Sequence, residues 1–267
     1  MAKDTQIYSL FMWCLLLGFS FTTYNRNHIW GEEIQIWEDV VEKAPNKRRP
    51  HHNLAVKYRD NGQFIKAIRE YKIEIKIAPW YVEAQNDLGD VYHSLGRLED
   101  AIIQYKIAIG LDPGFEEAYN NLGNVYYIQG RVEEAMRQYE TALNLNSNFE
   151  KVYINLGIVY TDKGYFEDAI QVYKKAISLK PGLAKPYHGI GNVYYLQGRL
   201  DEAIEAYKTA LEIDPKLAGI YNNLGKIYES LGQIDEAIQQ YKLALRFEPE
   251  FIDARNNLLS ITKEYNR

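Results

Sequence analysis

Length, composition and charge exclude some classes of function and some kinds of site before any motif is considered. The chain has 267 residues, a net charge of −5 and a single cysteine, Cys14. The negative net charge argues against nucleic-acid binding, which needs a basic surface. One cysteine excludes a disulfide and a cysteine-based metal site within the chain.

The N-terminal segment predicts a membrane helix. No residue between Asp4 and Arg26 is charged, and a helix over this span would rise about 30 Å, the hydrocarbon thickness of a bilayer. A cleaved signal peptide is the main alternative, and a buried helix is the other, but no small-x-small cleavage site follows the apolar run. We predict a transmembrane anchor over residues 1–24 that contacts the bilayer through residues 7–24. Nearly balanced flanking charges leave its orientation open.

Residues 25–47 predict a membrane-proximal half-repeat. Pro45 and Trp37 each stand one period of 34 residues before a repeat residue of the same kind, Pro79 and Tyr71. We expect a helix here whose apolar face carries Trp30, Ile34, Trp37 and Val41.

A period of 34 residues then runs to residue 251 and predicts stacked helix–turn–helix units. Two ladders mark it: Pro45, Pro79, Pro113, Pro181, Pro215 and Pro249, with Ser147 in the vacant slot, and Gly62, Gly96, Gly130, Gly164, Gly198 and Gly232. The predicted units are 48–81, 82–115, 116–149, 150–183, 184–217 and 218–251. Residues 252–267 predict a capping helix in which Leu258 and Leu259 cover the last repeat.

Each unit repeats the same core chemistry. A small residue at the eighth position predicts close helix contact, and the loop glycine predicts a left-handed helix end. Tyrosines at the eleventh and twenty-fourth positions predict core filling, with hydroxyls that reach water or a backbone carbonyl. Acidic pairs that begin the second helix of the five later units, at residues 99–100, 133–134, 167–168, 201–202 and 235–236, favour the helix dipole and do not indicate catalysis. The five histidines have no metal-ligand spacing, and His51 and His52 are expected near solvent. No catalytic residue, metal site or cofactor is predicted.

The pattern Leu-Gly-x-x-Tyr, Gly, Ala-x-x-x-Tyr-x-x-Ala, Pro resembles that of the tetratricopeptide repeat family. It recurs six times over residues 48–251, with departures at Ala55, Glu74 and Ser147. The resemblance implies an all-α fold, a right-handed superhelical solenoid of helix pairs. It also implies that the first helices line a concave groove for a protein or peptide partner.

The resemblance further implies that the sixth position of each first helix points into this groove. A carboxamide donates and accepts, so asparagines there predict a ladder that grips an extended peptide backbone. The alternative is a merely polar helix face. The predicted groove residues are Asn53, Asn121, Asn155, Asn223 and Asn257 at this position, with Asn124, Asn192, Tyr127 and Tyr195 beside them.

Residues 24–46 carry a second resemblance, to the junction between membrane region and repeats in bacterial relatives of the transmembrane-and-TPR O-mannosyltransferases. That family places its repeats on the lumenal or periplasmic side, which predicts extracytoplasmic repeats here. We expect a non-catalytic, membrane-anchored scaffold that binds extended partner segments and organises an envelope complex. The alternatives are an accessory part of a membrane O-glycosyltransferase system that presents acceptor peptides, and a soluble adaptor released by cleavage. Neither nucleic acid nor a small-molecule substrate is expected.

Overall fold

The computed structural model describes residues 33–265, and every regular element in that range is an α-helix. The helices are α1 (33–43), α2 (Arg48–Asp60), α3 (Phe64–Ile77), α4 (Val82–Ser94), α5 (Leu98–Leu111), α6 (Glu116–Ile128), α7 (Val132–Leu145), α8 (Glu150–Asp162), α9 (Phe166–Leu179), α10 (Ala184–Leu196), α11 (Leu200–Ile213), α12 (Ala218–Ser230), α13 (Ile234–Phe247) and α14 (Ile252–Tyr265). The predicted all-helical fold is confirmed.

The predicted membrane anchor, residues 1–24, lies outside the described residues, as do Trp30 and Arg267. Between residues 33 and 265, no helix combines the length and apolarity needed to cross a bilayer.

The chain divides into two compact units, and the division falls between Val125 and Tyr126, within α6. In the first unit, α2 packs against α3, α3 against α4, and α4 against α5. In the second unit, the packed pairs are α8 with α9, α10 with α11, and α12 with α13, and α14 packs against α13. Each of these units is therefore a stack of helix pairs.

A glycine in the left-handed conformation ends the first helix of each pair. The six loop glycines have φ angles between 70° and 75°. At Gly62, the amide of the next residue, Gln63, donates to the carbonyl of Tyr58 at 2.8 Å and so closes the helix end. The predicted helix ends are confirmed.

Second helices end two residues before the ladder prolines, and α7 ends in the same way before Ser147. A turn closed by a side-chain hydrogen bond explains why serine can replace proline at this position. Asn146 Oδ1 accepts the amide of Asn148 at 3.0 Å, as Asp112 Oδ1 accepts the amide of Gly114 at 2.8 Å before the next repeat. This turn fixes the backbone with or without proline.

In four helix pairs the core depends on a glycine–tyrosine contact, made by Gly89, Gly157, Gly191 and Gly225. The tyrosine at the twenty-fourth position is at most 2% exposed in every repeat. A Cβ added to Gly225 of α12 would lie 2.5 Å from Cε1 of Tyr241 in α13, and one added to Gly89 would lie 2.5 Å from the same atom of Tyr105. The eighth position must therefore be small, as predicted.

Two predicted environments are wrong. In α14, Ala254 and Ile261 are buried, with Leu258 packed beside them, whereas Leu259 is 51% exposed. Residues 254, 258 and 261 share one helix face, and residue 259 is turned about 100° away from Leu258. His51 is also buried, not near solvent: its Nδ1 lies 2.7 Å from Glu70 Oε2, and its Nε2 lies 2.9 Å from the carbonyl of Pro45.

We expect Gly225→Ala to destabilise the chain by roughly 1–3 kcal/mol, because the added methyl group must displace the buried ring of Tyr241. Gly219→Ala is the matched control. Gly219 lies in the same helix and has open space around its Cα, so this change should stabilise by up to about 1 kcal/mol. Thermal unfolding of both variants checks the contact, and equal melting temperatures would contradict it.

Candidate protein-binding surface

Side-chain hydrogen bonds from the sixth position join first helices of neighbouring repeats. In the first unit, Asn121 Nδ2 of α6 donates to Asn86 Oδ1 at 3.1 Å and to Asp90 Oδ1 at 3.0 Å, both on α4. Asn121 Oδ1 in turn accepts from Asn120 Nδ2 at 3.1 Å. Both polar atoms of this predicted groove residue are thus engaged within the protein.

The second unit repeats this arrangement. Asn223 Nδ2 of α12 donates to Asn192 Oδ1 of α10 at 3.1 Å, and Asn257 Nδ2 of α14 donates to Asn222 Oδ1 of α12 at 3.0 Å. The sixth position therefore bonds the fifth or ninth position of the preceding repeat. These bonds favour an inter-repeat role for the asparagines, and peptide binding by the same residues stays a prediction.

The ninth position also receives a buried tyrosine hydroxyl. Tyr105 OH donates to Asp90 Oδ1 at 2.7 Å, and Tyr207 OH donates to Asn192 Oδ1 at 2.7 Å. The expectation that these hydroxyls reach water or backbone carbonyls is wrong at both positions. Each acceptor consequently ties the buried core to the first-helix face.

The other predicted groove residues lie on the same first helices with different surroundings. Asn53, Asn124 and Asn155 are partly buried. Tyr127 donates its hydroxyl to Asp162, and burial, assisted by that carboxylate, raises the pKa of Tyr127 to about 12. Tyr195 is 38% exposed and is therefore accessible to a partner.

The sixth position changes chemistry with the residues that it faces. Asp87 holds this position in the second repeat, where its carboxylate lies 3.8 Å from Arg59 Nη1 and 3.9 Å from His52 Nδ1. Burial raises the pKa of Asp87 to about 6, and both cationic groups oppose that rise. A hydrogen bond to Glu74 raises the pKa of His52. An acid thus replaces the amide where the preceding repeat presents donors.

An apolar segment interrupts the polar face between α8 and α10. The sixth position there is Gly189, and the fifth and ninth positions of the preceding repeat are Ile154 and Ile158. A Cβ at Gly189 would collide with the ring of Tyr173. Ile154 is buried, whereas Ile158 is 40% exposed. Neither isoleucine is among the predicted groove residues, although their joint departure with Gly189 from the asparagine pattern is visible in the sequence.

Comparison with known proteins agrees with this geometry. The family model described as TPR repeat matches residues 89–130, 123–164, 159–198 and 191–232, and the model described as tetratricopeptide repeat matches residues 218–251. Protein O-mannosyl-transferase TMTC1 of Homo sapiens is 33% identical over 75 residues, which are 28% of this chain and 8% of that protein. The similarity therefore spans a small part of the relative.

Two solved structures are similar over larger parts of the chain. The crystal structure of MamA is 37% identical, with a TM-score of 0.53, and the match covers 62% of this chain and 97% of MamA. A tetratricopeptide repeat protein from Parabacteroides merdae is 17% identical, with a TM-score of 0.72, over 87% of this chain and 92% of that one. The second likeness concerns the fold alone. Helix pairs of this kind typically form protein-interaction scaffolds and not catalytic domains. On its repeat pattern, its helix pairs and these matches, the chain belongs to the tetratricopeptide repeat family.

Proposed function

We propose that this protein is a non-catalytic, membrane-anchored scaffold. Its first-helix faces bind extended segments of a partner protein, and its anchor over residues 7–24 places the repeats in an envelope complex, on the extracytoplasmic side. The observation that carries the binding role is the mixed chemistry of these faces. Ile158 and Tyr195 are 40% and 38% exposed on α8 and α10, and the same two helices carry the partly buried amides of Asn155 and Asn192. An extended peptide needs both apolar contacts and backbone hydrogen-bond partners.

A second candidate function is supported by the similarity to Protein O-mannosyl-transferase TMTC1. In this case the protein would be an accessory part of a membrane O-glycosyltransferase system, and its repeats would present acceptor peptides to the membrane-embedded enzyme. The match of 33% over 75 residues is the supporting observation. A co-purified multi-span membrane protein without repeats of its own would favour this candidate over a general scaffold.

A site-specific photo-cross-linker tests the binding surface in the full-length chain. We expect benzoylphenylalanine at residue 195 to give a discrete cross-linked partner in cells. The matched control is residue 213, on a second helix, because Ile213 and Tyr195 are 37% and 38% exposed. Equal cross-linking at both residues, or cross-linking at residue 213 alone, would move the binding surface away from the first helices.

Replacing Asn223 separates the binding role from the inter-repeat role. We expect Asn223→Ala to reduce cross-linking at residue 195 by about 2- to 10-fold, which corresponds to the loss of one peptide hydrogen bond. The control is Asn144→Ala on the exposed face of α7, which brings the same gain in helix propensity. If Asn223→Ala lowers the melting temperature and leaves the cross-link intact, the asparagine only joins repeats.

Membrane attachment and orientation are tested separately. We expect the full-length chain to stay with membranes during alkaline carbonate extraction, because the apolar segment spans the bilayer. Protease added to spheroplasts should digest the repeats. Release by carbonate would remove the anchor from the proposal, and protection of the repeats until lysis would reverse the orientation.

A further inference from the structure

The first repeat has a charge balance opposite to that of the whole chain. Residues 48–81 contain eight Lys and Arg residues and three Asp and Glu residues, although the chain carries a net charge of −5. Two of the three carboxylates are buried in contact with basic side chains. Glu74 lies 2.9 Å from Arg48 Nη1 and 3.2 Å from His52 Nδ1, and Glu70 contacts His51. The surface of this repeat is therefore strongly basic.

Three exposed cations of the first repeat lie along one face of α3. Ile65, Arg69, Lys72 and Lys76 are all exposed and follow the spacing i, i+4, i+7 and i+11, which aligns them on a helix. Trp80 follows the helix. Ile65 is 73% exposed and Trp80 is 72% exposed. We call these five residues the α3 stripe. No carboxylate among residues 33–263, whose side chains the structure describes, forms an ion pair with Arg69, Lys72 or Lys76.

Equivalent positions in the other repeats have different chemistry, so repeat packing does not require the α3 stripe. An acid replaces Ile65 in every later repeat: Glu99, Glu133, Glu167, Asp201 and Asp235. Small or polar residues replace Trp80: Gly114, Asn148, Gly182, Lys216 and Glu250. The combination of unpaired cations with exposed isoleucine and tryptophan is specific to the first repeat.

We propose that the α3 stripe binds the surface of an anionic lipid bilayer. Basic side chains on a helix attract anionic headgroups, and exposed tryptophan and isoleucine partition into the interface beside them. An acidic protein would match the cations but would not explain the apolar residue at each end of the stripe. This inference rests on the proposed anchor, because residues 7–24 end shortly before α1 and hold the first repeat close to the membrane.

Quenching of Trp80 fluorescence by brominated lipid tests the contact in the full-length chain. Protein is reconstituted into vesicles of phosphatidylcholine alone or with phosphatidylglycerol, and the Trp80 signal is the difference between wild type and Trp80→Phe. We expect quenching in the anionic vesicles and a loss of quenching at high salt, since screening weakens surface attraction. The triple variant R69Q/K72Q/K76Q should also lose the quenching of Trp80, because each cation removed weakens binding to the anionic bilayer by about 5-fold.

The matched control is K106Q/K174Q/K242Q. These lysines are exposed, occupy the helix position of Lys72 in other repeats and remove the same charge, so Trp80 quenching should persist. Trp80 that is unquenched in both lipid compositions, or equally quenched after R69Q/K72Q/K76Q, would overturn the proposal. Carbonate extraction reports on the anchor independently. A retained anchor with unquenched Trp80 rejects the α3 stripe alone, and a released chain whose Trp80 is still quenched on added anionic vesicles rejects the anchor alone.

Discussion

The contact between a glycine backbone and a tyrosine ring sets the distance between the helices of a pair. At the eighth positions Gly89, Gly157, Gly191 and Gly225, the ring of the second-helix tyrosine occupies the space that a Cβ would need. Tyr173 is held from two sides, because a Cβ on either Gly157 or Gly189 would collide with it. This contact brings the helix backbones close enough for tyrosine hydroxyls to reach first-helix acceptors such as Asp90 and Asn192.

The first repeat lacks this glycine–tyrosine contact, and its buried tyrosine also lacks a hydrogen-bond acceptor among the residues that the structure describes. Ala55 replaces glycine, and the hydroxyl of Tyr71 is buried without a hydrogen-bond partner in the described part of the chain. Val56 stands at the ninth position, where Asp90 and Asn192 accept such a hydroxyl in other repeats. Leaving a buried hydroxyl unpaired costs roughly 1–3 kcal/mol. In the same repeat, the buried carboxylate of Glu74 forms hydrogen bonds with the partly exposed side chains of Arg48 and His52.

Periodicity predicted the features that depend on local geometry. Helix pairs, left-handed glycines and the small eighth position follow from a pattern repeated six times, because each repeat imposes the same backbone. Side-chain partners were harder to predict. His51 is buried with its Nδ1 beside Glu70 and its Nε2 beside the carbonyl of Pro45, and no spacing rule indicates these contacts. Ile261, and not Leu259, reaches the core because the docking angle of α14 selects one helix face.

Repeats that contact mainly their neighbours can differ in surface chemistry without a change of fold. The sixth position shows how a local change is matched: amides face amides, Asp87 faces His52 and Arg59, and Gly189 follows a repeat with Ile154 and Ile158. The sixth position is thus matched to the repeat before it, whereas the outer faces differ in sequence from one repeat to the next. The outer face of α3 can therefore become basic and apolar while the inner face of the same helix keeps the buried tyrosine that every repeat requires. One repeated scaffold can in this way present one surface to a protein partner and another to lipid.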